Sequence, residues 1–183
     1  INSLEYIALQ LASIIVNEIY EENPTVFPPS PTHLALGDNT PSLSWLDNYS
    51  TASEMGQNQI RLTAEYSLGA NVKTTGDHLP GSENDMADDI SRPYKFFSPP
   101  LTTIHDVPFS ILVKQVCQKH PILRSYRIFL LSPELFSALN SSLSRNAKWE
   151  RPQRPQKSGR LVPADVILST GVSSGESMTR YFL

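Results

Sequence analysis

The chain has 183 residues, of which 39% are hydrophobic and 15 are proline, against an average proline usage of about 5%, so one well-packed globule filling the whole length is not expected. A lone cysteine, Cys117, excludes an intramolecular disulfide framework and a Cys-rich zinc site. The net charge of −3 conceals a split: residues 1–96 carry 13 acids and 4 bases, and residues 97–183 carry 5 acids and 11 bases, which points to two functional segments.

Residues 3–20 predict a helix, because Leu4, Ala8, Leu11, Ala12, Ile15, Val16 and Ile19 recur every three or four positions. The apolar run from Leu4 to Val16 is broken by Glu5 and Gln10. It is shorter than the roughly 20 residues a membrane span needs and lacks the basic flank of a signal peptide. A soluble protein of the cytoplasm or nucleus, with no membrane partner, is the expectation. Asn23-Pro24 and Pro28-Pro29 impose a loop. His33 to Gly37 is a short apolar run that suits a strand buried on both faces. Thr40 then offers a capping hydroxyl, with Pro41 at the first helical position. A second long helix is expected over 52–68, closed by Gly69, although Gly56, Gln57, Asn58 and Gln59 give it a poor apolar stripe. Asn71 to Thr75 reads as a strand, and Ser82 to Asp85 as a capping box with Asp in place of Glu, opening a short helix that Pro93 ends.

Beyond Pro93 the pattern changes. Asp106 to Lys119 predicts a helix and Tyr126 to Leu131 a strand. Ser132-Pro133 opens another helix with Leu135, Leu139 and Leu143 on one stripe. Residues 145–183 are rich in Pro, Gln, Ser and basic residues, and regular structure is not expected there. Three regions follow: 1–93, an α/β domain; 94–144, a connector with helices and one short strand; and 145–183, a basic tail.

Several acids and a histidine are candidates for chemistry. Glu5 falls within about 60° of the apolar stripe of its helix, where a carboxylate is costly unless paired or metal-bound; near the helix start it can equally face water and favour the dipole. Asp38 follows an apolar strand and precedes a helix, the position of the ligand crevice in α/β sheets, or else begins a simple Asp-Asn turn. His78 stands on a loop ahead of a short helix, mobile enough to move protons, or is a turn histidine. Asp85, Asp88 and Asp89 either carry chemistry or form a solvated acidic helix start; Asp89 is assigned to the solvated side. In the tail, Arg145, Lys148, Arg151, Arg154, Lys157 and Arg160 recur every three residues with one acid, Glu150, among them. They suit nucleic-acid phosphates, with Trp149 able to stack on a base, or a solvated linker.

The stretch His78-Leu79-Pro80-Gly81-Ser82-Glu83-Asn84-Asp85-Met86-Ala87-Asp88-Asp89-Ile90-Ser91-Arg92 closely resembles the end of the ribonuclease H domain of retroelement polyproteins, where the pattern is HxPGxxNxxADxLSR; Ile90 replaces the leucine. Upstream, Asp38-Asn39 with Trp45-Leu46 resembles that family's DNxxxxxWL segment, and Asn2-Ser3-Leu4-Glu5 its NxxE helix. The resemblance covers residues 1–93. It implies a ribonuclease H-like fold and a two-metal nuclease cutting RNA in RNA–DNA hybrids. Glu5, Asp38 and Asp88 would then be catalytic carboxylates binding Mg²⁺, and His78 would assist proton transfer or product release. Two hard cations about 3.5–4 Å apart stabilise both the attacking and leaving oxygens of a phosphodiester, and magnesium takes oxygen ligands.

The family fold opens with three antiparallel strands, the first of which supplies a further catalytic aspartate, whereas this chain starts at the helix that follows them. The expectation is therefore an incomplete ribonuclease H-like fold: a retrotransposon polyprotein fragment, with a polymerase domain upstream, catalytically inert as given and marginally folded. Asn17 to Thr32 is a long Pro-rich insertion relative to the family. The second half resembles the connector after ribonuclease H in such polyproteins; no integrase acidic triad, zinc-finger spacing or P-loop is present in it. The alternative is a non-catalytic nucleic-acid-binding or structural remnant with a basic tail, and the partner expected is an RNA–DNA hybrid or single-stranded nucleic acid.

Overall fold

The computed structural model describes residues 2–92, 115–121, 127–144, 158–163 and 181–182. The expected helix forms as α1 (Asn2–Glu22). Its buried face is not the one the Leu/Ala/Ile repeat indicated: Tyr6, Ile7, Gln10, Leu11, Ile14 and Asn17 are buried, whereas Leu4 is exposed. Tyr6, fully buried, sets this register. It stacks at a tilt on Trp45, centroids 5.8 Å apart, and donates its hydroxyl to Thr63 Oγ1 at 2.9 Å.

After α1 the prolines hold the chain in a loop with one 3₁₀ turn (Pro24–Val26). Strand β1 (Thr32–Gly37) follows. It pairs in parallel with β2 (Lys73–His78), in register from Thr32 opposite Lys73 to Gly37 opposite His78. Strand β2 thus lies a little beyond the 71–75 expected from sequence. Parallel neighbours need a crossover, supplied by helices α2 (Thr40–Asn48) and α3 (Glu54–Ser67). The expectation that β1 is buried on both faces is corrected. Ala35 enters the core at 5% exposure, but Leu34 and Leu36, on the opposite face, are each 52% exposed. Side chains alternate along a strand, and among the described residues helices cover only one face. Helix α2 lies on that covered face so closely that a Cβ at Gly76 would come within 2.9 Å of Leu43 Cδ2.

The helix starts differ from expectation in detail. Asn39, not Thr40, caps α2: its Oδ1 accepts the Ser42 N–H at 3.0 Å and the Ser42 hydroxyl at 2.8 Å. Helix α3 starts at Glu54 behind Ser53, whose Oγ accepts the Gly56 N–H at 3.2 Å, and Gly69 beyond its end takes the left-handed conformation expected of it, φ 81°. Its weak apolar stripe is explained by what it buries, since Asn58, Gln59 and Thr63 are inside with Ile60 and Leu62. Tyr6, Ala35, Leu46 and Ile60 form the core, with Leu9 and Trp45 packed against it. Each fully buried leucine-sized side chain contributes about 1.5–3 kcal/mol.

The chain forms two compact units, residues 1–81 with 132–158 and residues 82–131 with 159–183. Each unit draws chain from both sides of the boundaries expected at 93 and 144. The first adds helix α6 (Pro133–Ser142), capped by Ser132 as expected and packed on α3 through a face carrying Leu135 and Leu139. Ser158 joins this unit, donating its N–H to Glu18 Oε1 at 2.9 Å. The second unit holds α4 (Asp85–Ser91), a helical segment α5 over 115–119, and an antiparallel sheet in the order β4-β3-β5. Strand β3 (Arg127–Leu131) was expected; β4 (Gly159–Pro163) and β5 (Tyr181–Phe182) lie in the tail expected to lack regular structure. The physical reason is tertiary. Gly159 sits where any Cβ would collide with the Leu130 carbonyl and the Phe129 ring, so a glycine that reads as disorder in sequence instead permits close strand pairing. Helix α4 starts at Asp85 behind Asn84 rather than at a Ser82 capping box, after a 3₁₀ turn (Gly81–Glu83). Residues 106–114 of the expected helix, Tyr126, and the tail other than Ser158 and these strands fall outside the described residues. The architecture is mixed α/β, mostly helical with a few short strands.

Candidate functional site

Parallel pairing sends β1 and β2 to the same edge, and Asp38 and His78 emerge there side by side. Gly37 lies opposite His78 in the register, and its carbonyl accepts the Leu79 N–H at 2.9 Å. Loops beyond parallel strand ends leave a crevice of the kind α/β proteins use for ligands. Asp38 is exposed. The chain leaving β2 turns back past it, so that a Cβ on Gly81 would lie 3.6 Å from Asp38 Oδ2. His78 is the last residue of β2, with an exposed side chain and its N–H donated to Asp77 Oδ1 at 2.8 Å. It is therefore held by the sheet, not carried on a mobile loop as expected.

The start of α1 is tied to this edge. Asn39 Nδ2 donates to Asn2 Oδ1 at 3.1 Å, and the Ser42 hydroxyl, whose one proton is shared with Asn39 Oδ1, lies 2.9 Å from the Asn2 carbonyl. One turn on, Glu5 is exposed. Of the two sequence readings for Glu5, the structure has the carboxylate in water near the helix start, beside the buried Tyr6 rather than within the apolar face. Asp38, His78 and the first turn of α1 thus belong to one unit.

Asp88 lies in the other unit, on α4, where its Oδ1 is 3.1 Å from Arg92 in a half-exposed (i, i+4) ion pair. Among the described residues no group of three or more His, Cys, Asp or Glu side chains is placed to hold a metal ion. Glu5, Asp38 and Asp88 carry the hard oxygen donors magnesium prefers.

Asp89, assigned from sequence to the solvated side of its helix, is corrected outright. It is 6% exposed, with Oδ2 2.5 Å from Lys119 Nζ and 2.6 Å from His120 Nε2. Burial pushes its carboxyl up, but the hydrogen bonds and charges of Lys119 and His120 outweigh this and hold it below the usual carboxylate value. Nothing near position 89 signals this, because the partners are about thirty residues away, Lys119 at the end of α5 and His120 just after it.

A second feature missed from sequence is polar. Gln10 and Gln59 are fully buried, and neither side-chain amide has a hydrogen-bond partner among the described residues. The interruption of the Leu4–Val16 run by Gln10 was the available signal, but only as a flaw in an apolar stripe. Of the basic candidates, Arg160 is exposed on β4; Arg145, Lys148, Trp149, Arg151, Arg154 and Lys157 lie outside the described residues. Among the described residues no helix is long and apolar enough to cross a membrane. Comparison with known protein families, with curated proteins and with solved structures finds no match to this chain.

Proposed function

We propose that the chain derives from the ribonuclease H domain of a retroelement polyprotein and does not cleave RNA–DNA hybrids as it stands. The observation that carries the reading is the motif from His78 to Arg92, in order after Asn2–Glu5 and Asp38–Leu46. The shared strand edge of Asp38 and His78 supports it, since the family's chemistry needs an acid and a proton-moving group on one side of a sheet. In this reading Glu5, Asp38 and Asp88 are the residues that hold Mg²⁺ in a complete domain, and the ions supply charge stabilisation at the phosphodiester. His78 holds or moves a proton at the edge.

Incubation with Mg²⁺ or Mn²⁺ and a labelled RNA–DNA hybrid should leave the RNA intact. Cleavage abolished by Asp88→Asn would overturn the inactivity. The ancestry has its own test: a domain rebuilt with the family's three leading strands fused ahead of residue 1 should cut hybrid RNA. There, Asp38→Asn and Asp88→Asn should nearly abolish cutting, and His78→Ala should slow it by about 10²–10⁴-fold. A folded rebuilt domain that leaves the RNA intact defeats the reading.

A further inference from the structure

The apolar repeat of α1 and the face it buries do not coincide, and the difference leaves an apolar stripe unused by the fold. At about 100° per residue, Leu4, Ala8, Ile15 and Ile19 fall within about 60° of one another. The stripe lies roughly 130° round the helix from the centre of the buried face set by Tyr6. Leu4 is 63% exposed and Ala8 is exposed, while Ile15 and Ile19 are only half-buried. No charged residue interrupts the stripe between Leu4 and Ile19. A contiguous apolar face of this kind on a helix surface marks an interaction site.

The stripe is complementary to itself. Leu4 with Ile19, and Ala8 with Ile15, share one midpoint between Leu11 and Ala12. Two copies of α1 laid antiparallel about a two-fold axis at that point set Leu4 against the partner's Ile19. Ala8 then lies under the partner's Ile15, where its small side chain leaves room for the branched one. Charge selects the antiparallel sense. The last turn of α1 holds no basic residue, and Glu22, exposed and in line with Leu4, sits unfavourably at its own negative helix end. Antiparallel pairing carries that carboxylate to the start of the partner's α1, where the first N–H groups lack intrahelical acceptors. Parallel pairing would set Glu22 against its own copy. Glu5 and Glu18 fall on opposite flanks of the seam, so these carboxylates do not confront each other across it.

We infer that a second copy of this chain covers the stripe, forming an antiparallel homodimer along the Leu4–Ile19 seam of α1. The seam is about 23 Å long, which places the interface at the small end of specific contacts, below about 1,200 Å². A dissociation constant of roughly 10–100 μM follows from that size. The inference is independent of the nuclease reading.

Sedimentation equilibrium of the full chain from about 1 μM to about 1 mM should show a monomer–dimer equilibrium. Ala8→Glu, at an exposed position, should weaken the dimer by about tenfold or more without lowering the melting temperature of the dilute monomer. Oxidative cross-linking in a Cys117→Ser background then reads the register. Ala12→Cys, next to the two-fold axis, should give a disulfide-linked dimer. Ala8→Cys should not, because its two copies stand about 10 Å apart along the seam, beyond disulfide reach. A chain that stays monomeric at about 1 mM leaves the stripe to a different partner and overturns the inference. So does a dimer indifferent to Ala8→Glu, or one that cross-links through Ala8→Cys rather than Ala12→Cys.

Discussion

Asp88 and Asp89 are chemically identical neighbours that the fold treats in opposite ways. Asp88 forms an ion pair exposed on both sides, the kind that contributes at most about 1 kcal/mol. Asp89 is buried against the Lys119 ammonium and the His120 imidazole, and removing one partner of such a cluster leaves the rest uncompensated. Because Lys119 is half-exposed, solvent screens its share, and Asp89→Asn should cost roughly 1–3 kcal/mol. Urea midpoints of the two variants measure the difference; an equal effect would place Asp89 in water after all. The pH dependence has a definite sign. The folded pKa of Asp89 lies below its unfolded value, so its contribution is present above about pH 3.9 and is lost as pH falls through the folded pKa. The gap between wild type and Asp89→Asn should therefore close as pH falls through that lowered pKa, and a gap that widens there would contradict the assignment.

Among the elements, the start of α2 separates local propensity from geometry most cleanly. Thr40-Pro41 has the form of a cap and first helical residue, yet Asn39 stands one residue earlier and its carboxamide reaches the Ser42 N–H and hydroxyl at once. It also donates to Asn2, so one side chain caps α2 and fastens α1. Asn39→Ala should cost about 1 kcal/mol or more and Thr40→Ala only a few tenths, read as shifts in melting temperature. The reverse order would restore Thr40 as the cap. The strand β1 teaches the same lesson. Its apolar run was legible, but burial on both faces was not, because Leu34 and Leu36 need a second covering layer that no local pattern specifies.

At the scale of the whole molecule, the two units interleave along the chain, and this makes the tail structural. Strand β3 is bounded by β4 and β5, and Phe129, 2% exposed, sits against Gly159. Ending the chain after residue 144 removes both neighbouring strands together with the Ser158–Glu18 hydrogen bond. Such a truncation should lower the unfolding midpoint and expose Phe129, seen as increased binding of a hydrophobic dye. An unchanged midpoint would mean that residues 145–183 are a mere appendage.

By itself, the sequence determined the elements governed by short-range physics. The 3.6-residue repeat of α1, the proline-enforced loop, the Ser132-Pro133 start of α6 and the left-handed Gly69 all depend on residues within a few positions of one another. The order of the motif from His78 to Arg92 was likewise readable, and with it the candidate residues. What the sequence could not hold was any property that depends on a distant neighbour. The buried register of α1 follows Tyr6 meeting Trp45 and Thr63, and the shared edge of Asp38 and His78 follows strand pairing across forty residues. The burial of Asp89 follows Lys119 and His120, and β4 exists because Gly159 fits under Phe129. In each case the deciding free energy comes from desolvation and packing between segments far apart in the chain, and only the tertiary structure brings those segments together.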